Sequence, residues 1–188
     1  MRKRFSLVQA VLGLLIFVFV FVTPLVVHRE GLSAQEKAET SQTKTAFIKS
    51  IAPASQELAK AYGIKPSIII AQASLESDFG RTLLARRYDN LFNSKALTGE
   101  AFIKLRDSNG QLVSYARYKS YQESISAYLA QLKAGQVGNS NSYKLFVANK
   151  NVNTLADVLQ SSGFSTSKTY AKELKSIIKT YQLTDYDK

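Results

Sequence analysis

The 188-residue chain has no cysteine and a single histidine, His28. Without cysteine there is no disulfide, iron–sulfur cluster, thiolate zinc site, cysteine nucleophile or lipidated lipoprotein cysteine. The lone histidine stands beside the one long apolar run. Neither a Ser-His-Asp triad nor a histidine-based metal centre can then be assembled in a folded domain, and no metal or other cofactor is expected. Chemistry is left to carboxylates, tyrosine, serine and lysine. Acidic residues are scarce as well: 14 Asp and Glu face 25 Lys and Arg, a formal charge of +11. Setting aside Arg2, Lys3, Arg4 and Arg29 against Glu30 still leaves +8 on the remainder. Such a charge attracts polyanions, whether nucleic acid, an anionic membrane face or an anionic wall polymer.

Charge is wholly missing from Phe5 to Val27, an uncharged run of 23 residues. At about 1.5 Å per residue, a helix of this length crosses a hydrocarbon core of roughly 30 Å. Arg2, Lys3 and Arg4 precede the run, so a cytoplasmic tail over residues 1–4, a transmembrane anchor over 5–27 and an extracytoplasmic remainder are expected. That placement removes nucleic acid from the partners. A cleaved signal peptide competes, with Leu32 to Ala34 as its site, but its apolar core is usually shorter, about 7–15 residues. Residues 28–45 are rich in Gln, Glu, Lys, Ser and Thr without aromatics and read as a solvated tether.

One domain is expected over residues 46–188. Phe47, Ile51, Ala54, Leu58 and Ala61 recur at helical spacing and Gly63 supplies a stop, with Pro53 as a kink or restart. Pro66 suits the first turn of a second helix running to Glu76, apolar on most sides and therefore central. A short helix over Arg81 to Arg87 follows. Asp107 to Gly110 then marks a hairpin turn within Phe102 to Tyr118. Helical periodicity returns over 120–133, 143–149, 154–160 and 168–181. The fold class expected is α+β, mostly helical, with a small hairpin lobe.

Glu76 closes the apolar helix just before Phe79 and Gly80. Burial and the negative end of the helix dipole both disfavour an ionised carboxyl there, and a carboxyl kept protonated can give its proton to a glycosidic oxygen. A solvent-exposed helix-terminal glutamate fits the spacing equally well. The run Ala73, Ser74, Leu75, Glu76, Ser77, Asp78, Phe79, Gly80 and the later Asp89, Asn90, Leu91, Phe92, Lys95 resemble the glucosaminidase family, glycoside hydrolase family 73. There a Leu-Glu-Ser-x-x-Gly helix end precedes Asn-Leu-Phe-Gly-x-Lys. Tyr115 to Ser124 and Gly163 to Ala171 are similar to two further segments of that family, so the resemblance covers about residues 46–183. It implies a lysozyme-like fold with Glu76 as general acid.

This sequence departs from the family at three points. Arg106 or Asp107 stands where a second acidic residue is often found, and Asp107 is the nominee for it, with a turn-forming role as the alternative. Asn93 replaces a glycine, and Phe164 replaces a tyrosine. The substrate-binding candidates are Asp78, Asn90, Phe92, Tyr118, Tyr121 and Phe164, the aromatics as sugar-stacking walls. Glu123 reads as a helix-start carboxylate. The resemblance implies an endo-β-N-acetylglucosaminidase acting on the glycan strands of peptidoglycan. A lytic transglycosylase using Glu76 alone and a wall-binding division scaffold are the rivals. A monomer is expected, with anionic wall polymers, the membrane and division proteins as further partners.

Overall fold

The computed structural model describes residues 43–188 apart from Ser108 and Lys150. The expected tail, the membrane segment 5–27 and most of the tether lie outside them. Among the described residues no helix is long and apolar enough to cross a membrane.

Helix α1 covers 43–61 and buries Phe47, Ile48, Ile51, Ala52, Ser55 and Ala59 at helical spacing. Its first described residues, 43–45, fall in the stretch expected to be tether. It also runs through Pro53 without a break, because that ring faces solvent, where water can satisfy the carbonyl that loses its partner. Its end is a Schellman closure: Ile64 N–H donates to Ala59 O at 2.9 Å and Gly63 N–H to Lys60 O at 3.1 Å, with Gly63 at φ 68°.

Helix α2, Pro66–Glu76, is the central one, with Ile68, Ile69, Ile70, Ala71 and Ala73 fully buried. The residue before it, Lys65, offers no side-chain cap. That role falls to Asp187, 120 positions on, whose Oδ1 accepts from Ser67 N–H at 2.8 Å and whose Oδ2 accepts from Ser67 Oγ at 2.9 Å. The carboxylate satisfies a helix-start donor and meets the positive end of the dipole. Asp187→Ala is expected to lower the unfolding free energy by about 1–2 kcal/mol, the usual range for a lost cap, as read by urea titration. An unchanged midpoint would show that the contact adds nothing.

Helix α3 is Leu83–Tyr88, started by Thr82, whose hydroxyl accepts from Ala85 N–H. Strands β1 (Phe102–Arg106) and β2 (Leu112–Ala116) pair antiparallel, Ile103 opposite Tyr115 and Leu105 opposite Val113. Helices α4 (Tyr121–Lys133), α5 (Ser142–Ala148), α6 (Val152–Ser161) and α7 (Tyr170–Thr180) follow, then a 3₁₀ turn, Leu183–Asp187. At the start of α4 Glu123 N–H donates to the N-cap Ser120 Oγ, while Glu123 Oε2 accepts from the N–H of Lys119 one residue earlier, which gives Glu123 the structural role expected of it. Helices α6, α7 and the final turn pack on α2. The order of helices, small sheet and helices is the α+β arrangement expected.

Candidate active site

Glu76 owes its place to the way α2 stops. Ser77 Oγ donates to Ala73 O at 2.5 Å and accepts from Gly80 N–H at 2.8 Å, while Phe79 N–H donates to Ser74 O at 2.8 Å. The chain then passes through three left-handed residues in succession, Asp78 (φ 49°), Phe79 (φ 54°) and Gly80 (φ 78°). Only the glycine adopts this conformation without strain. Aromatic packing holds the turn: Phe79 lies 6.3 Å from Phe47 and 5.4 Å from Tyr181, centroid to centroid, and Phe47 lies 5.9 Å from Tyr121. Lys44 Nζ sits 4.8 Å from the centre of the Phe79 ring.

Glu76 is half-buried, and two side chains reach it from distant segments. Asn93 Nδ2 donates to Glu76 O at 3.1 Å and to Glu76 Oε2 at 3.3 Å. The Tyr170 hydroxyl, at the start of α7, is near enough to the same carboxylate to favour its charged form. Behind Tyr170 the polar chain continues inward. Gln72, one helical turn before Glu76, donates from Nε2 to Tyr170 Oη at 3.2 Å and accepts from the Tyr128 hydroxyl at 3.0 Å. The Tyr128 ring is stacked on Phe92, with centroids 4.0 Å apart. The donors Tyr128 and Gln72 point the same way, and the series leads to the Tyr170 hydroxyl beside the carboxyl.

Burial pushes the Glu76 carboxyl above its ordinary 4.5, and the hydrogen bonds from Asn93 and Tyr170 pull it only part of the way back. Burial also raises Tyr170, with the Glu76 charge adding to the effect, and raises Tyr128 well above its ordinary value. Both tyrosines therefore stay neutral donors. The arrangement keeps the carboxyl protonated to higher pH than an exposed glutamate would be, can release the proton to an oxygen outside, and can stabilise the carboxylate left behind.

The other residues singled out in sequence scatter. Asp107 Oδ1 accepts from Asn109 N–H and Gln111 N–H, both at 2.9 Å, so one oxygen of its carboxylate closes the hairpin turn. Asn90 is fully buried: Nδ2 donates to Ser94 O and Ala116 O, and Oδ1 accepts from Ser94 N–H, each at 2.9 Å. Both amide protons and one acceptor site of its oxygen tie the loop to β2, so the side chain serves the backbone where a substrate contact was expected. The Tyr118 hydroxyl is buried beside Ser94 and Gln131 and presents nothing outward. Tyr121 belongs to the aromatic clamp on the turn. Phe164 packs on Phe146 at 5.7 Å, and an added Cβ on Gly138 would lie 2.5 Å from its ring. Asp78 is exposed and paired with Arg81 at 2.6 Å, a surface contact of small energetic worth. Phe92, through Tyr128, is the candidate aromatic that stands next to the polar chain.

Gln72 and Tyr170 went unnoticed as site residues. Spacing offered a signal for Gln72, a buried amide four residues before Glu76 on the same helix face. Among the described residues no cluster of acidic or histidine side chains is arranged to hold a metal ion. A cavity of about 660 Å³ lined by Gln56, Lys60, Ile64, Tyr186 and Asp187 opens at the other end of α2, away from this chemistry.

A mostly helical domain with a two-stranded lobe, and a half-buried carboxyl at the end of its central helix, together define a lysozyme-like glycoside hydrolase. Residues 52–183 match the glucosaminidase family, described as mannosyl-glycoprotein endo-beta-N-acetylglucosaminidase. The chain belongs to that family, glycoside hydrolase family 73. The catalytic domain of the autolysin Auto from Listeria monocytogenes superposes with a TM-score of 0.68 at 31% identity, over 82% of this chain and 97% of that one. Exo-glucosaminidase LytG of Bacillus subtilis is 28% identical over 190 residues, 97% of this chain. A probable N-acetylmuramidase of Lactococcus lactis is 32% identical over 164 residues, 82% of this chain. The chain spans 65% of the length of LytG and 37% of that of the Lactococcus protein.

Proposed function

We propose that this protein cleaves the glycan strands of peptidoglycan as an endo-β-N-acetylglucosaminidase, in wall remodelling or cell separation, with Glu76 as general acid. The observation that carries this reading is the half-buried Glu76 carboxyl, held above its ordinary pKa while Asn93 and Tyr170 stand ready to stabilise its ionised form. In the first half of the reaction Glu76 gives its proton to the glycosidic oxygen as the bond to the anomeric carbon breaks. The acetamido carbonyl oxygen of the same sugar closes on that carbon. In the second half the Glu76 carboxylate takes a proton from water, whose oxygen attacks the anomeric carbon and reopens the ring.

The engagement of Asp107 in the turn favours this one-carboxylate route over a second acidic group. Asp107→Asn is therefore expected to retain activity within a few-fold, since asparagine also suits turns. A loss beyond about a hundredfold with unchanged thermal unfolding would favour instead a base-activated water and a two-carboxylate inverting mechanism. The same observation supports a second reading, a lytic transglycosylase in which the sugar's own hydroxyl closes a 1,6-anhydro ring. Mass spectrometry of digested peptidoglycan separates them. Reducing N-acetylglucosamine ends support the first reading, and anhydro-muramoyl ends the second. The absence of products would leave a glycan-binding scaffold.

The uncharged run from Phe5 to Val27 supports retention in the membrane with the domain outside, and the +8 charge beyond residue 30 supports attraction to anionic wall polymers. Recovery of the protein from culture medium with an N-terminus near Gln35 would contradict the anchor.

A further inference from the structure

We propose that Asn93 is a positioning residue for Glu76, fixing the carboxyl through one side-chain amide that donates both to that residue's backbone carbonyl and to its carboxylate. The proposal rests on the reading of Glu76 as the acid and adds to it a residue that the family resemblance gives no reason to expect, since glycine stands at this position in the family motif. The two contacts, 3.1 Å to Glu76 O and 3.3 Å to Oε2, bridge 17 positions of chain. Their chemistry fixes the orientation of the amide. A backbone carbonyl can only accept, so the group facing Glu76 is the NH₂ and not the oxygen. A donor anchored on the backbone of α2 holds the carboxyl relative to the helix end, not to a mobile neighbour.

The backbone of Asn93 points the same way. It lies at φ 53°, a left-handed conformation that costs little for glycine and more for any residue with a Cβ. Asparagine is among the few residues with a Cβ that enter this region readily, and its side chain reaches the carboxyl at the end of the central helix. Strain of this kind persists where the surroundings fix it.

The consequence is a defined pH signature. The titratable groups that interact with Glu76 are Tyr170 from α7 and Tyr128 from α4, and both are raised, so they remain neutral across the working range. The alkaline limb of kcat/KM then reports Glu76, which must be protonated to act. A hydrogen bond to the charged form favours that form, so removing it raises the Glu76 pKa and moves the limb to higher pH.

Asn93→Gly relieves the backbone and removes the donor. Asn93→Asp keeps the shape, removes the donor and adds a like charge. The limb is expected to move up by about one pH unit in the first variant and further in the second, with kcat falling several-fold in both and KM little changed. Thermal stability of Asn93→Gly should be equal to or above wild type. A limb that stays within about 0.2 units in both variants overturns the proposal, as does an activity loss that merely follows a loss of stability. Glu76→Gln run alongside separates the two ideas. If it is inactive and the Asn93 limbs are unmoved, only the role of Asn93 fails; if it is active, the acid itself has been misassigned.

Discussion

Glu76→Gln is expected to lower glycan cleavage by about 10²–10⁴-fold, the usual contribution of a general acid, while the domain stays folded. The amide preserves size and shape and can still hydrogen-bond to Asn93 and Tyr170, but it has no proton to transfer. Stability gives a second, independent sign. Because the folded-state pKa of Glu76 lies above its ordinary 4.5, its contribution to wild-type stability is present below 4.5 and is lost as pH rises through the raised value. The glutamine variant lacks that ionisation, so its stability relative to wild type should improve over the same interval. Activity within a few-fold of wild type would show that Glu76 is not the acid, and a stability difference independent of pH would show that its pKa is not raised by burial.

Gly80→Ala is expected to destabilise the domain by about 2–5 kcal/mol. Part of this comes from the backbone: at φ 78° a residue with a Cβ costs about 1–2 kcal/mol. The rest comes from packing, since the new methyl would sit 2.7 Å from Phe47 Cδ2, 2.8 Å from Phe47 Cε2 and 3.3 Å from the Tyr121 hydroxyl. Phe47 is held between Phe79 and Tyr121, so neither ring can swing away without opening the aromatic clamp. Overpacking of this kind costs about 1–3 kcal/mol. Against a total stability of about 5–15 kcal/mol the variant should melt at a much lower temperature, and its activity should fall as the turn after Glu76 loosens. A loss under about 1 kcal/mol in urea titration would mean that the turn is more pliable than its packing implies.

The limits of α2 were legible because local chemistry sets them: Pro66 can begin a helix, three consecutive isoleucines demand burial, and the polar turn after Glu76 ends it. The Asp107 to Gly110 turn was legible for the same reason, and of the two roles open to its carboxylate the backbone contacts supply the turn-forming one. Asn90 shows the reverse difficulty. An asparagine in a loop motif serves as ligand or as backbone clasp, and only the position of Ser94 and Ala116 decides between them.

What sequence could not supply is contact at a distance. Gln72 meets Tyr170 across 98 positions and Tyr128 across 56, and Asp187 meets Ser67 across 120. Nor does composition show a left-handed backbone at Asp78, Phe79 or Asn93, because only glycine announces one. The placement of Phe164 illustrates both points. Motif alignment names it as a substrate-binding candidate and says nothing of the contacts its ring makes with Gly138 and Phe146.

The claim that Glu76 is the proton donor is tested most directly by following its side-chain carboxyl in a carbon-13 NMR titration, with the resonance assigned by its disappearance in Glu76→Gln. The account predicts a midpoint above 4.5 that coincides with the alkaline limb of kcat/KM. A midpoint at or below 4.5, or one that the activity profile ignores, would contradict it.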